Sequence, residues 1–311
     1  MENLEHRIGN LTIVKVPELE LNAFSAPQLL PGLKPDAIAE RPGWIDPQSY
    51  DANTGKVFLS VHTWAIKGDG KTILIDTGAG NDKDRPTMKV LDHLHQPYLE
   101  KLAAAEVQRE DVSYVLLTHL HADHVGWNTS RQDGRWVPTF PNATVICSAL
   151  EWRYGEALAA KNKAGIEAVR AEAGLGEPIR TPVAGVFEDS MAPLHQAGLL
   201  RQIQVDGSEV LPGIRFLPTP GHSIDHAAIS VASQGEQAIF GGDVTHHPFE
   251  IFDPDLVSMF CEFPDAARRS RRQLLELVAQ TGSRYFTSHF PGSSVGRITR
   301  EGGSYGWRFL G

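Results

Sequence analysis

A histidine-rich loop directly after an apolar run restricts the fold of this chain more than any other part of the sequence. The run YVLL at 114–117 is typical of a buried strand, and the residues after it include His119, His121, Asp123 and His124. In an extended segment the two alternating histidines point the same way, whereas the aspartate and the last histidine follow where we expect a turn into a helix. Two groups of ligands therefore leave one loop in two directions, which suits two metal ions side by side. Imidazole and carboxylate without thiolate is a donor set that zinc accepts readily.

The alternative interpretation is a histidine-rich surface loop. It fits poorly with the apolar run just upstream, because a buried strand aims its end at a defined place. Four side chains in one loop cannot enclose two ions, so other parts of the chain must complete the site.

The predicted secondary structure forms two halves, each with strands followed by a helix. In order, the elements are a strand–turn–strand unit at 57–76, a helix at 87–105, strands at 114–117 and 144–147, a largely helical stretch at 149–200 broken by LGEPIRTPVAG, strands within 209–243, a helix at 265–280 and a strand at 284–289. Since no linker-like stretch separates the halves, we expect a single domain over 1–311. Residues 149–200 would be a helical insertion that either walls the pocket or forms a homodimer contact, and the Pro-rich stretch 17–47 is a candidate N-terminal flap.

Composition and charge argue against several classes of partner. A net charge of −9 disfavours a nucleic-acid surface, and no apolar run is long enough to span a bilayer. The N-terminus lacks the basic-then-apolar pattern of a signal peptide, and the two cysteines lie far apart in sequence. We therefore expect a cytoplasmic protein that acts on a small molecule. The basic cluster of Arg268, Arg269, Arg271 and Arg272 is predicted to form a solvated helix face.

The spacing His-x-His-x-Asp-His is also the signature of the metallo-β-lactamase superfamily, which this chain resembles along nearly its whole length. The resemblance implies an α/β fold, a four-layer αββα sandwich in which helices flank two mixed sheets. It also implies where the missing ligands lie: His222 in TPGHS, Asp243 in IFGGDVTHHP and His289 in YFTSHFPG, each where a predicted strand runs out into a loop.

Carried over position by position, the resemblance implies two divalent metal ions, expected to be Zn²⁺. The implied ligands are His119, His121 and His222 for one ion, Asp123, His124 and His289 for the other, and Asp243 as the bridge. A water bridging two such ions would have its pKa lowered to about 7 and could attack an ester-like bond. Asp123 and Asp243 are therefore also candidate catalytic residues. Asp76 resembles the family's first motif, where the aspartate supports the histidine loop.

The segments FPNA, EW, GDVTHHP and HFPG resemble the branch of quorum-quenching lactonases and methyl-parathion-type hydrolases. The leading hypothesis is thus a lactonase, such as an N-acyl-homoserine lactonase. The alternatives are an aryl-ester or organophosphate hydrolase, a glyoxalase II-like thioesterase, a β-lactamase, a mononuclear iron dioxygenase of the same fold, and a non-catalytic member.

Residues near the expected pocket are candidates for substrate contact. His246 follows Asp243 by three residues and could donate a proton; a packing role is the alternative. Tyr154 is a candidate counterpart of a tyrosine that lactonase relatives carry near the metals, and His226 is expected to be structural. Aromatic residues that could reach an apolar acyl or aryl group, with core packing as the alternative for each, are Phe24, Trp44, Trp64, Trp127 and Trp152.

Overall fold

The computed structural model describes residues 5–39 and 46–310, and most of its strands belong to two seven-stranded sheets. In chain order the strands are β1 (Glu5–Ile8), β2 (Leu11–Leu21), β3 (Tyr50–Asp51), β4 (Lys56–Val57), β5 (Leu59–Gly68), β6 (Lys71–Ile75), β7 (Val112–Leu116), β8 (Thr129–Gln132), β9 (Arg135–Pro138), β10 (Thr144–Ser148), β11 (Leu200–Ile203), β12 (Glu209–Leu211), β13 (Ile214–Pro218), β14 (Ala227–Ser233), β15 (Glu236–Phe240), β16 (Arg284–Phe286), β17 (Val295–Glu301) and β18 (Ser304–Phe309).

Both large sheets are mixed. The first has the order β1-β2-β5-β6-β7-β10-β11, antiparallel from β1 to β6 and parallel from β6 to β11. The second runs from β12 to β18 in chain order, and only the pair β15–β16 among its described strands is parallel. Because β6, β7 and β10 are parallel, their C-terminal ends lie at the same edge of the first sheet. The C-terminal ends of β15 and β16 likewise lie at one edge of the second sheet.

Along the chain, most of the helices follow one strand and precede another in the same half. They are α1 (Ala26–Leu29), α2 (Pro35–Ala39), α3 (Tyr98–Ala104), α4 (Ala122–Val125), α5 (Ala149–Ala159), α6 (Lys163–Ala173), α7 (Ala192–Gln196), α8 (Phe249–Phe252) and α9 (Pro264–Thr281). The helical prediction for 149–200 is confirmed, with the interruption between α6 and a π-helical turn at Phe187–Met191. None of the helices in the described ranges has the length and apolar character needed to cross a bilayer.

Alternation along the strands produces four layers. In β14, Ile229 packs between the two sheets, whereas its neighbour Ala228 packs beneath α9 with Leu274. The opposite face of the first sheet packs against α3 and α5 through residues such as Leu102 and Trp152. Because each sheet is covered on both faces, central strands such as β5 and β14 are buried over most of their length. The expected αββα sandwich is confirmed.

The helix predicted at 87–105 is mostly wrong. Lys89–Leu91 forms a 3₁₀ turn, and α3 begins only after Pro97. The carboxylate of Asp92 accepts a hydrogen bond from the backbone N–H of Arg85 at 2.7 Å, and His93 has a φ of +50°. These local bonds compete with a helix, and a proline cannot continue one that starts upstream.

The N-terminal stretch is more regular than a flap. Its first residues, 17–21, continue β2, which pairs with β5 through a register shift at Pro17, where the proline supplies no N–H. The short helices α1 and α2 follow, and Trp44 lies outside the described residues.

The basic cluster on α9 is not uniformly solvated, so that prediction is wrong for Arg271. This side chain is fully buried and lies 2.6 Å from the carboxylate of Glu250, which is equally buried. Its neighbour Arg272 is exposed and pairs with Asp255, also at 2.6 Å. The helix faces the sheet over a wide arc that includes Arg271, Leu274 and Leu275.

Candidate metal centre

The histidine loop leaves the end of β7 and turns into α4, as the spacing predicts. His121 occupies the N-cap position of α4, so it and His119 lie on the extended approach to the helix. Asp123 and His124 lie within α4. The loop thus presents its side chains as two groups.

Asp76, at the end of β6, holds this loop in place. Its carboxylate accepts hydrogen bonds from the backbone N–H and the hydroxyl of Thr118, both at 2.8 Å. The same carboxylate lies 2.8 Å from Nδ1 of His124, which orients that ring. Asp76 has a left-handed φ of +53°, a conformation that a non-glycine residue adopts only where the surroundings impose it. The supporting role that the resemblance implies for Asp76 is confirmed.

Three other loops carry side chains to the same place. His222 follows β13, Asp243 follows β15, and His289 follows β16. Oδ2 of Asp243 lies 3.2 Å from Nε2 of His222, while Oδ1 lies 3.0 Å from Nε2 of His289 and 3.2 Å from Nε2 of His124. Asp243 therefore stands between the two halves of the cluster.

Ligand atoms converge in groups that match the expected sets. Within this cluster, the groups whose ligand atoms lie within 4.8 Å of one another are His119–His121–His222, His119–His124–Asp243, Asp123–His124–His289 and His222–Asp243–His246. All seven residues that the resemblance implies are thus brought together. Ligation itself stays a prediction.

The residues present fit a metal ion. Four buried ligand atoms of the cluster make no well-aligned hydrogen bond within the described chain, although the Asp243 carboxylate and the imidazoles of His124 and His246 lie 3.2 Å apart: Nε2 of His119, His124 and His246, and Oδ1 of Asp243. Each such group costs about 1–3 kcal/mol when it stays unsatisfied, a penalty that a bound cation would remove. A fold that brings these atoms together at one point therefore favours the binding of a cation there.

The charge states of His119, His222 and Asp243 suit ligation, whereas, against the effect of burial, neighbouring carboxylates raise the pKa of His121 and of His124, whose protons a bound cation would displace. Burial lowers the pKa of His119 and of His222 well below the ordinary value, so both rings are neutral, the form that binds metals. Burial acts to raise the pKa of Asp243, but the imidazoles around it, first His124 and His289, outweigh this and hold it well below the ordinary range. The aspartate is an anion at the centre of the cluster.

The histidines near Asp243 differ in what they contact. Nε2 of His246 lies 3.2 Å from Oδ2 of Asp243, and its backbone N–H donates to Glu250 at 2.5 Å. His246 lines the cavity above the cluster. His226 accepts the backbone N–H of Asp243 at 2.9 Å, the structural contact expected of it. His247 is buried against the carbonyl of Ser49.

Glu262 is the site residue that the sequence reasoning missed. Its Oε1 lies 2.9 Å from Nε2 of His121, on the side of the ring away from His222. Its Oε2 is buried without a hydrogen-bond partner among the described residues. A carboxylate on the distal nitrogen fixes the orientation of a ligating imidazole and raises its basicity. The one available signal was an acidic residue within the apolar segment MFCEFP.

A cavity opens above the cluster, with an open volume of about 780 Å³ that includes solvent at its mouth. His121, Asp123, Asp243 and His289 contribute to its floor. Much of the remaining lining is apolar, with side chains from Leu21, Phe24, Leu59, Val61, Met88 and Leu91. An apolar wall above a few polar groups has the character of a small-molecule site.

Most of the other aromatic candidates lie elsewhere. Trp127 is buried against Tyr98, with ring centroids 4.9 Å apart, and its N–H donates to Glu18 at 2.6 Å. Trp64 and Trp152 belong to the cores on the two faces of the first sheet. Tyr154 lines a second cavity that shares His121 with the first. Among the aromatic candidates that lie in the described part of the chain, only Phe24 lines the first cavity.

Comparison with known proteins places this arrangement in a family. The hydrolase AbOPH of the β-lactamase superfamily superposes with a TM-score of 0.77 at 24% identity, covering 99% of this chain and 97% of that one. AidC, a dizinc quorum-quenching lactonase solved with its product, gives 0.71 at 19% identity, with 99% and 98% covered. A probable metallo-hydrolase of Mycobacterium tuberculosis is 25% identical over 210 residues, which span 63% of this chain but only 60% of the relative. The family model of the metallo-beta-lactamase superfamily matches residues 57–289, and the chain therefore belongs to that superfamily.

Proposed function

We propose that the protein is a hydrolase that uses two divalent metal ions, expected to be zinc, to cleave a lactone or a related carboxylic ester. The observation that carries this proposal is the convergence of buried imidazole and carboxylate atoms, several of them without a hydrogen bond among the described residues, beneath and at the base of a largely apolar cavity. An apolar cavity with a few polar groups at its base suits a substrate with an acyl or aryl part.

The two ions would be held by the residues that the fold brings together. His119, His121 and His222 would hold one, Asp123, His124 and His289 the other, with Asp243 between them. When bound, such ions supply a water acidified to near neutral pH and polarise the oxygen of the bond to be cleaved.

The chain's own residues prepare the site for this chemistry. Asp76 fixes the histidine loop, and Glu262 orients His121. His226 accepts the backbone N–H of Asp243 and so fixes the position of that residue. These supports hold the donor atoms in place before any ligand arrives, which lowers the entropic cost of binding.

His246 is the residue we propose to act on the substrate directly. Glu250 anchors its backbone and lies 3.3 Å from Nδ1, and Nε2 lies 3.2 Å from Oδ2 of Asp243, the proposed bridge between the ions. Because His246 lines the cavity, Nε2 can donate a hydrogen bond or a proton to the leaving oxygen. Substitution by Phe would then lower kcat more than it raises KM.

Metal content and a substrate panel test the proposal. The zinc-loaded protein is assayed with acyl-homoserine lactones, aryl esters, a phosphotriester, a β-lactam and a glutathione thioester. We expect lactone or ester turnover, its loss in Asp243→Asn and in His289→Ala together with lowered metal content, and no change in His95→Ala, which removes an exposed histidine. One iron per chain would indicate a dioxygenase, and turnover of the thioester alone a glyoxalase II-like enzyme; either result refutes the proposal.

A further inference from the structure

Arg180 lines the same cavity and is tied by the backbone to a proposed metal ligand. It lies in the interruption LGEPIRTPVAG between α6 and the π-helical turn, next to Ile179. The N–H of Ile179 donates to the carbonyl of Glu262 at 2.9 Å, and the N–H of Glu262 donates to the carbonyl of His222 at 2.9 Å. Two successive backbone hydrogen bonds therefore connect Ile179, the neighbour of Arg180, to His222 in the metal centre. The arginine is held at a set place on the cavity wall.

The guanidinium of Arg180 has no partner in the part of the chain that the structure describes. Its Nε is buried and makes no hydrogen bond there, and no carboxylate of the described residues lies within ion-pair distance. Nε of Arg85 and Nε of Arg170 also lack a partner among the described residues, but those two side chains pair through a terminal nitrogen, with Asp189 at 2.7 Å and with Glu177 at 3.0 Å. A buried polar group without a partner costs free energy unless a ligand satisfies it.

Charge identifies the ligand that would satisfy it. An arginine stays protonated at any physiological pH, and its planar fork matches a carboxylate through two parallel N–H bonds. Asp123, Asp243 and Glu262 bring three negative charges to the cavity lining, which two divalent ions would more than neutralise. Adding the guanidinium makes the loaded cavity more positive still, so it favours an anionic substrate over a neutral one. A single guanidinium near the Glu262 backbone suits one negative charge better than a phosphate dianion.

We propose that Arg180 binds a carboxylate of the substrate, so that the ester or lactone carries a carboxylate on one part and an apolar chain or ring on the other. The apolar part would lie against residues such as Phe24, Leu59 and Met88 on the lining of the cavity. This inference rests on the proposed hydrolase function and narrows its substrate class.

Matched esters provide the kinetic test. The mono-4-nitrophenyl esters of adipic and suberic acid are compared with 4-nitrophenyl hexanoate and octanoate, which differ by the terminal carboxylate. For at least one length we expect the carboxylate ester to have a kcat/KM about tenfold higher, the effect of one charge-assisted hydrogen bond. Arg180→Gln should bring the ratio to about one, Arg180→Lys should keep part of it, and the control Arg269→Gln, on the exposed side of α9, should keep the wild-type ratio. A ratio that Arg180→Gln leaves unchanged, or a wild-type preference for both neutral esters, overturns the inference.

Binding of uncleavable analogues separates this inference from the proposed function. Calorimetry compares adipic acid monoamide with hexanamide on the metal-loaded wild type and on the Gln and Lys variants, each checked for folding by circular dichroism. We expect the monoamide to bind more tightly and the difference to vanish in Arg180→Gln, even if no ester is cleaved and the hydrolase proposal fails. Equal binding of the two amides by the wild type, or a difference that Arg180→Gln leaves unchanged, refutes a carboxylate site.

Discussion

Replacing Arg271 by Leu should destabilise the fold far more than the same change at the next residue. Arg271 donates to the carboxylate of Glu250 at 2.6 Å, to the carbonyl of Val244 at 2.8 Å and to that of Pro254 at 3.1 Å, all without solvent access. Leucine keeps most of the volume but leaves a buried carboxylate and these carbonyls without a donor. Breaking a buried ion pair from one side costs about 3–5 kcal/mol.

The magnitude within that range follows from what remains around Glu250. Its other oxygen still accepts the backbone N–H of His246 at 2.5 Å, so the carboxylate does not lose every partner. We therefore expect about 4 kcal/mol. Arg272 makes an equally short contact with Asp255, but both side chains are about half exposed, so Arg272→Leu should cost at most about 1 kcal/mol.

Urea unfolding followed by circular dichroism measures both variants under the same conditions. A shift in midpoint without a change in the slope m reports the loss of stability. The double variant Glu250→Gln with Arg271→Leu should recover part of the loss, because no charge then stays buried alone. Similar costs for Arg271→Leu and Arg272→Leu would refute the argument that burial decides the strength of these pairs.

Three further predictions follow from contacts around the site. Glu262→Gln should lower metal affinity about 10–100-fold by releasing the ring of His121, as measured by competition with a chelator. Burial raises the pKa of Glu18 to about 7 from the ordinary 4.5, so the folded state keeps a proton that the unfolded chain releases between those values. Between pH 5 and pH 8 the free energy of unfolding of the wild type should therefore fall by about 3 kcal/mol relative to that of Glu18→Gln. Gly126→Ala should cost about 3 kcal/mol or more in urea unfolding, because the added Cβ would overlap the carbonyl of Ala79.

Each of these changes has a matched control on the same chain. Glu188→Gln and Glu20→Gln alter exposed carboxylates, and Gly303→Ala places a Cβ in open space, so all three should behave like the wild type. Unchanged metal retention in Glu262→Gln, the same pH slope with and without Glu18, or a harmless Gly126→Ala would each contradict its prediction.

The sequence predicted the local parts of the site well because their signals are local. The apolar run before His119 and the alternation of His119 with His121 determine the strand end and the loop directions within a few residues. The same holds for β14, which spans the segment AAISVAS. The helix predicted at 87–105 was mostly wrong because local bonds, such as the one that Asp92 accepts, and a proline decide against it.

Pairs of charged residues far apart in sequence could not be predicted in this way. The partner of His121 is Glu262, separated by 141 positions, and Arg271 looks like its solvated neighbours until the position of Glu250 is known. Trp127 follows the ligand loop in sequence, yet the turn after α4 carries it into the core against Tyr98.

By itself the sequence determined the donor types, their spacing in the histidine loop and the alternation that builds two double-sided sheets. Only the tertiary structure decided that Asp243 lies between two groups of histidines, that Glu262 supports one of them, and that Arg180 lines the cavity without a partner among the described residues. The physical reason is the separation along the chain over which each kind of interaction acts. Alternation and turn chemistry act between neighbours in the chain, whereas burial, ion pairing and metal geometry depend on distances between atoms that only folding brings together.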